Sequence, residues 1–298
     1  MNLTVIILTK NEEIHLERCL SSVRALADEI LIVDCGSTDK TIEIANNFKA
    51  RVEFNTWRNY SSQFGFGLSQ VNPSCKWVMR LDADEYLTPA LQESVVRLLS
   101  SRCDDTRGAY FPRRMAFLGR MIKHGGIFPA EMLRLFRNGF GRIEDRWMDE
   151  HIKVEGKTVV LDGELVDDNL NSLTWWIEKH NKYSSREAVD LLNLEFEFMS
   201  RDSVGSLSNS SEASLKRWVK EVLYSRLPMG TRALLYFIYR YFVRLGFLDG
   251  REGSMFHFLQ GFWYRYLADC KVYEVKQYVL RHNCDVKVAI REVLGIEV

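Results

Sequence analysis

Two carboxylates, Asp82 and Asp84, directly follow an apolar run that ends at Leu81. In an extended chain, residues i and i+2 point to the same side, so both side chains can aim at one point beyond a strand. Hard anionic oxygens suit Mg²⁺ or Mn²⁺, and such an ion often shares its shell with substrate phosphates. The spacing therefore predicts a metal–diphosphate site. Alone, the tripeptide also fits a solvated strand end or a helix N-cap, whereas a calcium loop would need glycine where Leu87 stands.

Strand and helix patterns alternate over the first ~85 residues and would position these carboxylates. Short apolar, β-branched runs predict buried parallel strands at Leu3–Leu8, Ile30–Val33, Arg51–Phe54 and Lys76–Leu81, with amphipathic helices between them. This order predicts an α/β fold, Rossmann-like, with a mostly parallel sheet flanked by helices. Ligands of such sheets bind beyond the carboxyl ends of the strands.

Polar residues follow three of the four predicted strands. Thr9-Lys10-Asn11-Glu12 follows the first strand, Asp34 the second, and Asp82 with Asp84 the fourth. A parallel sheet would bring all three groups to one edge. Three groups at one edge indicate a binding site more strongly than the aspartate pair does alone.

The composition excludes some classes of function. The 298 residues include 40 basic and 40 acidic side chains, and this zero net charge argues against a nucleic-acid partner. The six cysteines include no Cys-x-x-Cys pair, which disfavours a zinc or thioredoxin-like site. Because Lys10 interrupts the first apolar run, we expect no signal peptide and a reducing, cytoplasmic location.

The patterns predict two domains, a catalytic α/β domain over residues 1–168 and a helical region over 169–298 with a flexible, Ser-rich segment at 200–214. In the helical region, residues 228–248 and 255–267 are rich in aromatic and aliphatic side chains. They fit an ordinary helical core, or helices lying on the inner leaflet of a membrane. The second interpretation is favoured by the basic residues Lys216, Arg217, Lys220 and Arg226.

Three segments together resemble the family 2 glycosyltransferases, which have the GT-A fold. They are Val5-Ile6-Ile7-Leu8-Thr9-Lys10-Asn11-Glu12, Ile32-Val33-Asp34-Cys35-Gly36-Ser37-Thr38-Asp39-Lys40-Thr41 and Leu81-Asp82-Ala83-Asp84-Glu85. The resemblance covers roughly residues 1–155 in order and spacing. A further segment, residues 244–253, is similar to one typical of the bacterial subgroup that builds lipopolysaccharide cores, O-antigens or capsules.

The resemblance implies an inverting, metal-dependent transfer from a nucleotide-sugar, most often a UDP-sugar. The implied acceptor is a lipid-linked oligosaccharide or lipopolysaccharide, and the implied location is peripheral, on the cytoplasmic face of the inner membrane. It places Asp84 on the metal, Asp82 near the metal and ribose, and Asp34 against the nucleotide. Thr9 and Glu12 would line the base pocket, and Asn11 would contact the nucleotide-sugar. Further donor contacts are expected from Arg58, Gln63 and Arg134.

The family's general base is an acidic residue at about the position of Asp149-Glu150-His151. Alignment of the last acid favours Glu150 as base, with Asp149 as the alternative, and His151 could contact the metal or diphosphate. The alternatives are a nucleotidyltransferase and a non-catalytic scaffold. A nucleotidyltransferase would want a Gly-rich basic loop after the first strand, and a non-catalytic membrane-associated scaffold of the same fold would not need the aspartate pair.

Overall fold

The computed structural model describes residues 2–101, 105–143, 152–199 and 228–298. The chain divides into two compact units, Met1–Leu170 and Asn171–Val298. The first unit carries all the described strands, and the second is helical. The assignment of separate functions to two domains stays a prediction.

The first unit follows the predicted alternation of strands and helices. Its strands are β1 Leu3–Thr9, β2 Glu29–Asp34, β3 Arg51–Phe54, β4 Trp77–Asp82, β5 Glu85–Leu87, β6 Thr106–Phe117, β7 Arg120–Met121, β8 Ala130–Arg137, β9 Gly141–Ile143, β10 Ile152–Val154, β11 Lys157–Val160 and β12 Leu165–Asp168. Its helices are α1 Leu16–Val23, α2 Thr41–Asn47, α3 Tyr60–Ser69 and α4 Pro89–Ser100.

The main sheet is mixed and has the order β3-β2-β1-β4-β8-β6-β12-β5. Strands β3, β2, β1 and β4 are parallel neighbours, as predicted from the apolar runs. Strand β8 then runs antiparallel between β4 and β6. This insertion brings residues from the second half of the unit next to the end of β4.

Side chains of β1 alternate between two apolar layers. Leu3, Val5 and Ile7 pack with α1, α2 and α4, whereas Ile6 packs with α3 on the other face. Helix α3 approaches closely at Gly67, where an added Cβ would lie 2.9 Å from Cγ2 of Ile6. The buried layers on both faces hold the strand ends rigidly, which is what a site at the sheet edge requires.

The second unit consists of helices in the part that the structure describes. They are α5 Leu173–Phe196, α6 Thr231–Ile238, a π-helix Tyr239–Val243, a 3₁₀-helix Gly246–Asp249, α7 Gly250–Phe256, a π-helix His257–Trp263, α8 Tyr264–His282 and α9 Val286–Leu294. A small core joins α5, α8 and α9 through Val189, Leu192, Val275, Val286, Ala289 and Ile290.

The predicted fold class is confirmed: an α/β domain with a sheet flanked by helices precedes a helical region. One detail differs from the pattern of residues 228–248, because the helix ends at Val243 and Leu245 takes a left-handed φ of 59°. None of the helices within the described ranges is both long enough and apolar enough to cross a bilayer. The predicted flexible segment 200–214 and its basic neighbours lie outside the described residues.

Candidate active site

Asp34 organises the loop that follows β2. Its side chain is fully buried and accepts four hydrogen bonds. Oδ1 accepts from the backbone N–H groups of Gly36 and Ser37, both at 2.7 Å. Oδ2 accepts from the hydroxyls of Thr9 at 2.8 Å and Ser37 at 2.5 Å. Asp34 therefore joins the ends of β1 and β2, and its contact with a nucleotide stays a prediction.

The loop after β1 is fastened to the loop after β2. Asn11 has a φ of 54°, its backbone N–H donates to the Ser37 hydroxyl at 2.8 Å, and its side-chain oxygen accepts from the N–H of Thr38 at 2.8 Å. Glu12 contacts Nδ1 of His15 at 2.6 Å, and Nε2 of His15 accepts from the N–H of Leu170 at 2.9 Å. Three predicted nucleotide-binding residues, Thr9, Asn11 and Asp34, thus share one network.

Replacing Asp34 with alanine should destabilise the first unit by about 3 kcal/mol, because four donors lose one buried acceptor. Urea unfolding would measure the change in the free energy of unfolding. Ser37→Ala is the matched control, since Asp34 then keeps both backbone donors and the expected loss is about 1 kcal/mol. Equal losses in both variants would contradict this role for the Asp34 carboxylate.

Gln63 and Arg58 differ sharply in exposure. Gln63 is buried, and its amide exchanges two hydrogen bonds with Asn55, at 2.8 and 2.9 Å. These bonds connect the loop after β3 to α3. They explain why Gln63 is buried without any contact to a nucleotide-sugar. Arg58 is exposed on that same loop. A contact of either residue with the sugar donor remains a prediction.

The strand register brings the predicted groups to one edge of the sheet. Thr9 lies opposite Asp34 in the β1–β2 pair, and Leu8 lies opposite Asp82 in the β1–β4 pair. Neighbouring strands in a sheet are about 4.8 Å apart. The ends of β1, β2 and β4 therefore form a continuous polar edge, as the parallel order predicts.

Asp82, which is partly exposed, contacts a network of buried charges. Its Oδ2 accepts from Nη2 of Arg134 at 2.9 Å, and its Oδ1 contacts Nη2 of Arg80 at 3.4 Å. The same Arg134 nitrogen donates to Oε1 of Glu85 at 2.5 Å. Glu85 and Arg134 are 1% and 3% exposed, respectively. Arginine is suited to such a site because its guanidinium stays charged when buried and carries several N–H donors.

The two carboxyl groups of this network respond differently to their surroundings. Burial disfavours the charged form of Asp82, but the guanidinium groups of Arg134 and Arg80 outweigh it and hold the pKa of Asp82 well below its usual value. Burial raises the pKa of Glu85 to about 7, against the attraction of Arg134. Asp82 is therefore a fixed negative charge at the end of β4.

Asp84 accepts fewer hydrogen bonds through its carboxylate than Asp82 does. Its Oδ2 accepts from the Asn169 side chain at 3.0 Å, and its backbone carbonyl accepts from the N–H of Asp168 at 3.1 Å. Within the described ranges nothing donates to its other carboxylate oxygen, and the residue is partly exposed. One oxygen of this kind fits a hard divalent ion whose remaining ligands are water and phosphate. The described residues contain no cluster of three or more metal-ligating side chains.

Three predicted residues lie outside the described ranges. They are Asp149, Glu150 and His151, in the segment that connects β9 to β10. Their roles as base and metal ligand stay predictions. Strands β9 and β10 pair with each other in an antiparallel register, with Ile143 opposite Ile152.

Sequence reasoning missed Glu85, Arg80 and Asn169 as parts of this site. A signal for the first two was present, because a charged residue within an apolar strand must find a partner when it is buried. Arg80 sits inside the apolar run of β4, and Glu85 opens β5 directly after the aspartate pair. Asn169 gave no such signal, since it follows β12 in a polar stretch.

Known proteins with similar sequences include an uncharacterized glycosyltransferase of Rickettsia typhi, which is 26% identical over 262 residues, spanning 84% of this chain and 80% of that protein. The lipopolysaccharide core biosynthesis glycosyltransferase LpsC of Rhizobium meliloti is 33% identical over 193 residues, 62% of this chain and 70% of its own length.

Among solved structures, glucosyl-3-phosphoglycerate synthase from Mycobacterium tuberculosis, in complex with Mn²⁺, UDP and glucosyl-3-phosphoglycerate, is similar at 22% identity with a TM-score of 0.32. The match covers 38% of this chain and 44% of the synthase, so the chain spans less than half of that structure. The model of the family named glycosyl transferase family 2 matches residues 4–152, half of the chain. The chain therefore belongs to glycosyl transferase family 2 and is a glycosyltransferase.

Proposed function

We propose that this enzyme transfers a sugar, with inversion, from a UDP-sugar to a lipid-linked oligosaccharide or lipopolysaccharide acceptor, with Mg²⁺ or Mn²⁺ as cofactor. The observation that carries the proposal is the shared edge of β1, β2 and β4. There the Thr9–Asp34 network borders an aspartate pair in which one Asp84 oxygen accepts no hydrogen bond from the part of the chain that the structure describes. The name of the relative LpsC supports an acceptor of the lipopolysaccharide core type.

Each residue of the edge has a distinct task in this proposal. The loops held by Asp34 and Asn11 present polar groups to the base and ribose, which can be recognised by hydrogen bonds. Asp84 would bind the metal ion directly, and Asp82 would lie close to the ion without binding it directly. When bound, that ion would neutralise charge on the departing diphosphate as a Lewis acid. Glu150, or Asp149 in its place, would remove the proton from the attacking acceptor hydroxyl.

A titration with UDP tests this function. We expect UDP to bind more tightly in the presence of Mn²⁺, measured by calorimetry at constant ionic strength, because the ion screens the diphosphate from Asp82 and Asp84. UMP is the matched control, since it lacks the second phosphate and should gain little from the metal. Binding that is identical with and without Mn²⁺ would contradict the metal role, and binding only to a nucleoside triphosphate would favour a nucleotidyltransferase.

The acceptor proposal includes the inner-leaflet surface, and exposed residues of the second unit support it. On α6 and the following π-helix, six apolar residues at helical spacing are exposed; we call them the apolar face, and they are Leu234, Leu235, Ile238, Tyr239, Phe242 and Val243. The next turn exposes Leu245, Phe247 and Leu248 as well. Apolar area of this kind on a helix that does not span suits the interfacial layer of a bilayer.

The charges around the apolar face match an anionic membrane. Arg244 and Arg251 are exposed there, whereas Asp249 is buried beside His257. Basic residues near anionic headgroups contribute about 1 kcal/mol each. The aromatic side chains of residues 228–248 and 255–267 divide between the two earlier interpretations. Phe256 is buried and Phe262 packs on Phe237, whereas Phe242 and Phe258 are exposed. Part of this region is thus helical core, and part is free to contact lipid.

Vesicle flotation tests the membrane contact. The wild-type protein should float with vesicles that contain phosphatidylglycerol, and Ile238→Glu with Phe242→Glu should weaken this binding by about tenfold or more, since two charges then enter the interface. Leu280→Glu is the control, because Leu280 is 74% exposed on α8, outside the apolar face. Equal effects in both variants would contradict the proposal. A dimer that the first variant dissociates, without vesicle binding, would identify the apolar face as a contact between two copies.

A further inference from the structure

Glu85 and Arg134 form a buried ion pair beneath the turn that carries Asp82 and Asp84. We propose that this pair positions the turn: it fixes Asp82 in place so that Asp84 can offer the metal the oxygen that accepts no hydrogen bond from the described residues. The inference rests on the proposed metal-dependent function. It assigns a task to two residues that would not themselves touch metal or substrate.

The pair holds Asp82 from two directions. Arg134 uses one nitrogen for both carboxylates, at 2.9 Å from Asp82 and 2.5 Å from Glu85. The other carboxylate oxygen of Glu85 accepts the backbone N–H of Asp82 at 3.1 Å. The side chain and the backbone of Asp82 are therefore both attached to the same buried pair. A rotation of the turn would break these bonds together.

With Asp82 held in this way, its two oxygens are already engaged by arginines. Asp84 is held differently, through Asn169 and the backbone of Asp168 at the end of β12. Strand β12 pairs with β5 so that Asp167 lies opposite Glu85. Glu85 thus connects the anchors of both aspartates, one through Arg134 and the other through the β5–β12 pair. Because both oxygens of Asp82 contact arginines, Asp84 is the direct metal ligand in this proposal.

Stability alone does not account for a pair of this type. Removing two charges from water is costly, and well-packed apolar residues of similar volume often replace a buried ion pair without loss of stability. By contrast, replacing groups that hydrogen-bond to metal ligands without touching the metal commonly changes metal affinity by about 10- to 100-fold. The two roles predict different results when both charges are removed together.

The test compares conservative single variants with a paired apolar variant. The singles are Glu85→Gln and Arg134→Lys, and the paired variant combines Glu85→Met with Arg134→Leu. For each protein, calorimetry gives the UDP affinity without metal and the Mn²⁺ concentration at which UDP binding is half enhanced, and thermal unfolding of the metal-free protein gives its Tm. Arg137→Met is the matched control, since Arg137 lies on the same strand but bonds to the Thr106 carbonyl, far from the turn.

We expect each single variant to raise the required Mn²⁺ concentration by about tenfold or more, with the metal-free UDP affinity within about twofold of wild type. The paired variant should unfold at a temperature near that of the wild type yet keep the raised Mn²⁺ requirement. Arg137→Met should leave that requirement unchanged.

Three results would overturn the inference. A wild-type Mn²⁺ response in the paired variant would show that the pair serves stability alone. If the paired variant fails to fold, a wild-type Mn²⁺ response in both single variants would show instead that the pair serves stability alone. Wild-type UDP binding that ignores Mn²⁺ would overturn the proposed metal dependence and this inference with it, whereas the first two results leave that dependence intact.

Discussion

Asp84→Ala should lower kcat/KM for sugar transfer by about 1,000-fold or more, equivalent to about 4 kcal/mol of transition-state stabilisation. At the edge where β1, β2 and β4 end, one Asp84 oxygen accepts no hydrogen bond from the described residues. In the proposed function, a divalent ion without this ligand would no longer counter the charge of the leaving diphosphate. The assay is release of UDP from the UDP-sugar and acceptor that support turnover in a donor screen.

The control for this variant separates chemistry from folding. Asp162→Ala also removes a carboxylate, but its side chain is 96% exposed near Arg97, so transfer should be unchanged. Asp84→Ala should keep the Tm of the wild type within a few degrees, because the residue is only partly buried and contributes one side-chain hydrogen bond. Normal turnover by Asp84→Ala would refute the direct metal role.

Glu150→Ala should lower kcat by about 100- to 10,000-fold while UDP binding stays close to that of the wild type, the range expected when a general base is lost. The residue is chosen from the resemblance of the sequence to its family, in which an acid at about this position deprotonates the acceptor. Single-turnover measurements with saturating donor isolate the chemical step from binding.

Asp149→Ala is the matched comparison, since it removes the neighbouring acid. We expect it to retain most of the transfer rate. If Asp149→Ala alone loses turnover with intact UDP binding, Asp149 is the base instead. Loss of UDP binding in either variant would point to a role at the nucleotide rather than at the acceptor.

The parallel half of the sheet was predictable because its signals are local. Each of β1, β2 and β4 is a short apolar run followed by a polar residue, and the pattern of buried parallel strands does not depend on distant partners. The antiparallel insertion of β8 was not predictable, since the choice of neighbour for β4 depends on pairing energies across more than fifty residues of chain. The mixed order of the sheet therefore emerged only from the structure.

The residues of the candidate site also differ in whether the local sequence could predict them. Thr9, Asp34, Asp82 and Asp84 could be assigned to one edge because each directly follows a strand of the parallel half. Arg134 was predicted as a donor contact, but its described partners are Asp82 and Glu85, and these contacts follow from the position of β8. In the second unit, periodicity identified the apolar residues but could not separate those that pack, such as Phe262, from those left exposed, such as Phe242.

The antiparallel strand β8 also sets an order of events during synthesis. A nascent chain that has emerged only as far as α4 contains β1 to β4 and both loops of the Thr9–Asp34 network. It still lacks the Arg134 side chain, 52 residues beyond Asp82, and the Asn169 side chain, 85 residues beyond Asp84. Contacts between distant residues form late because the intervening loop must close first. The Thr9–Asp34 half of the edge can thus be assembled on the ribosome, whereas the groups that hold Asp82 and Asp84 wait for nearly the whole first unit.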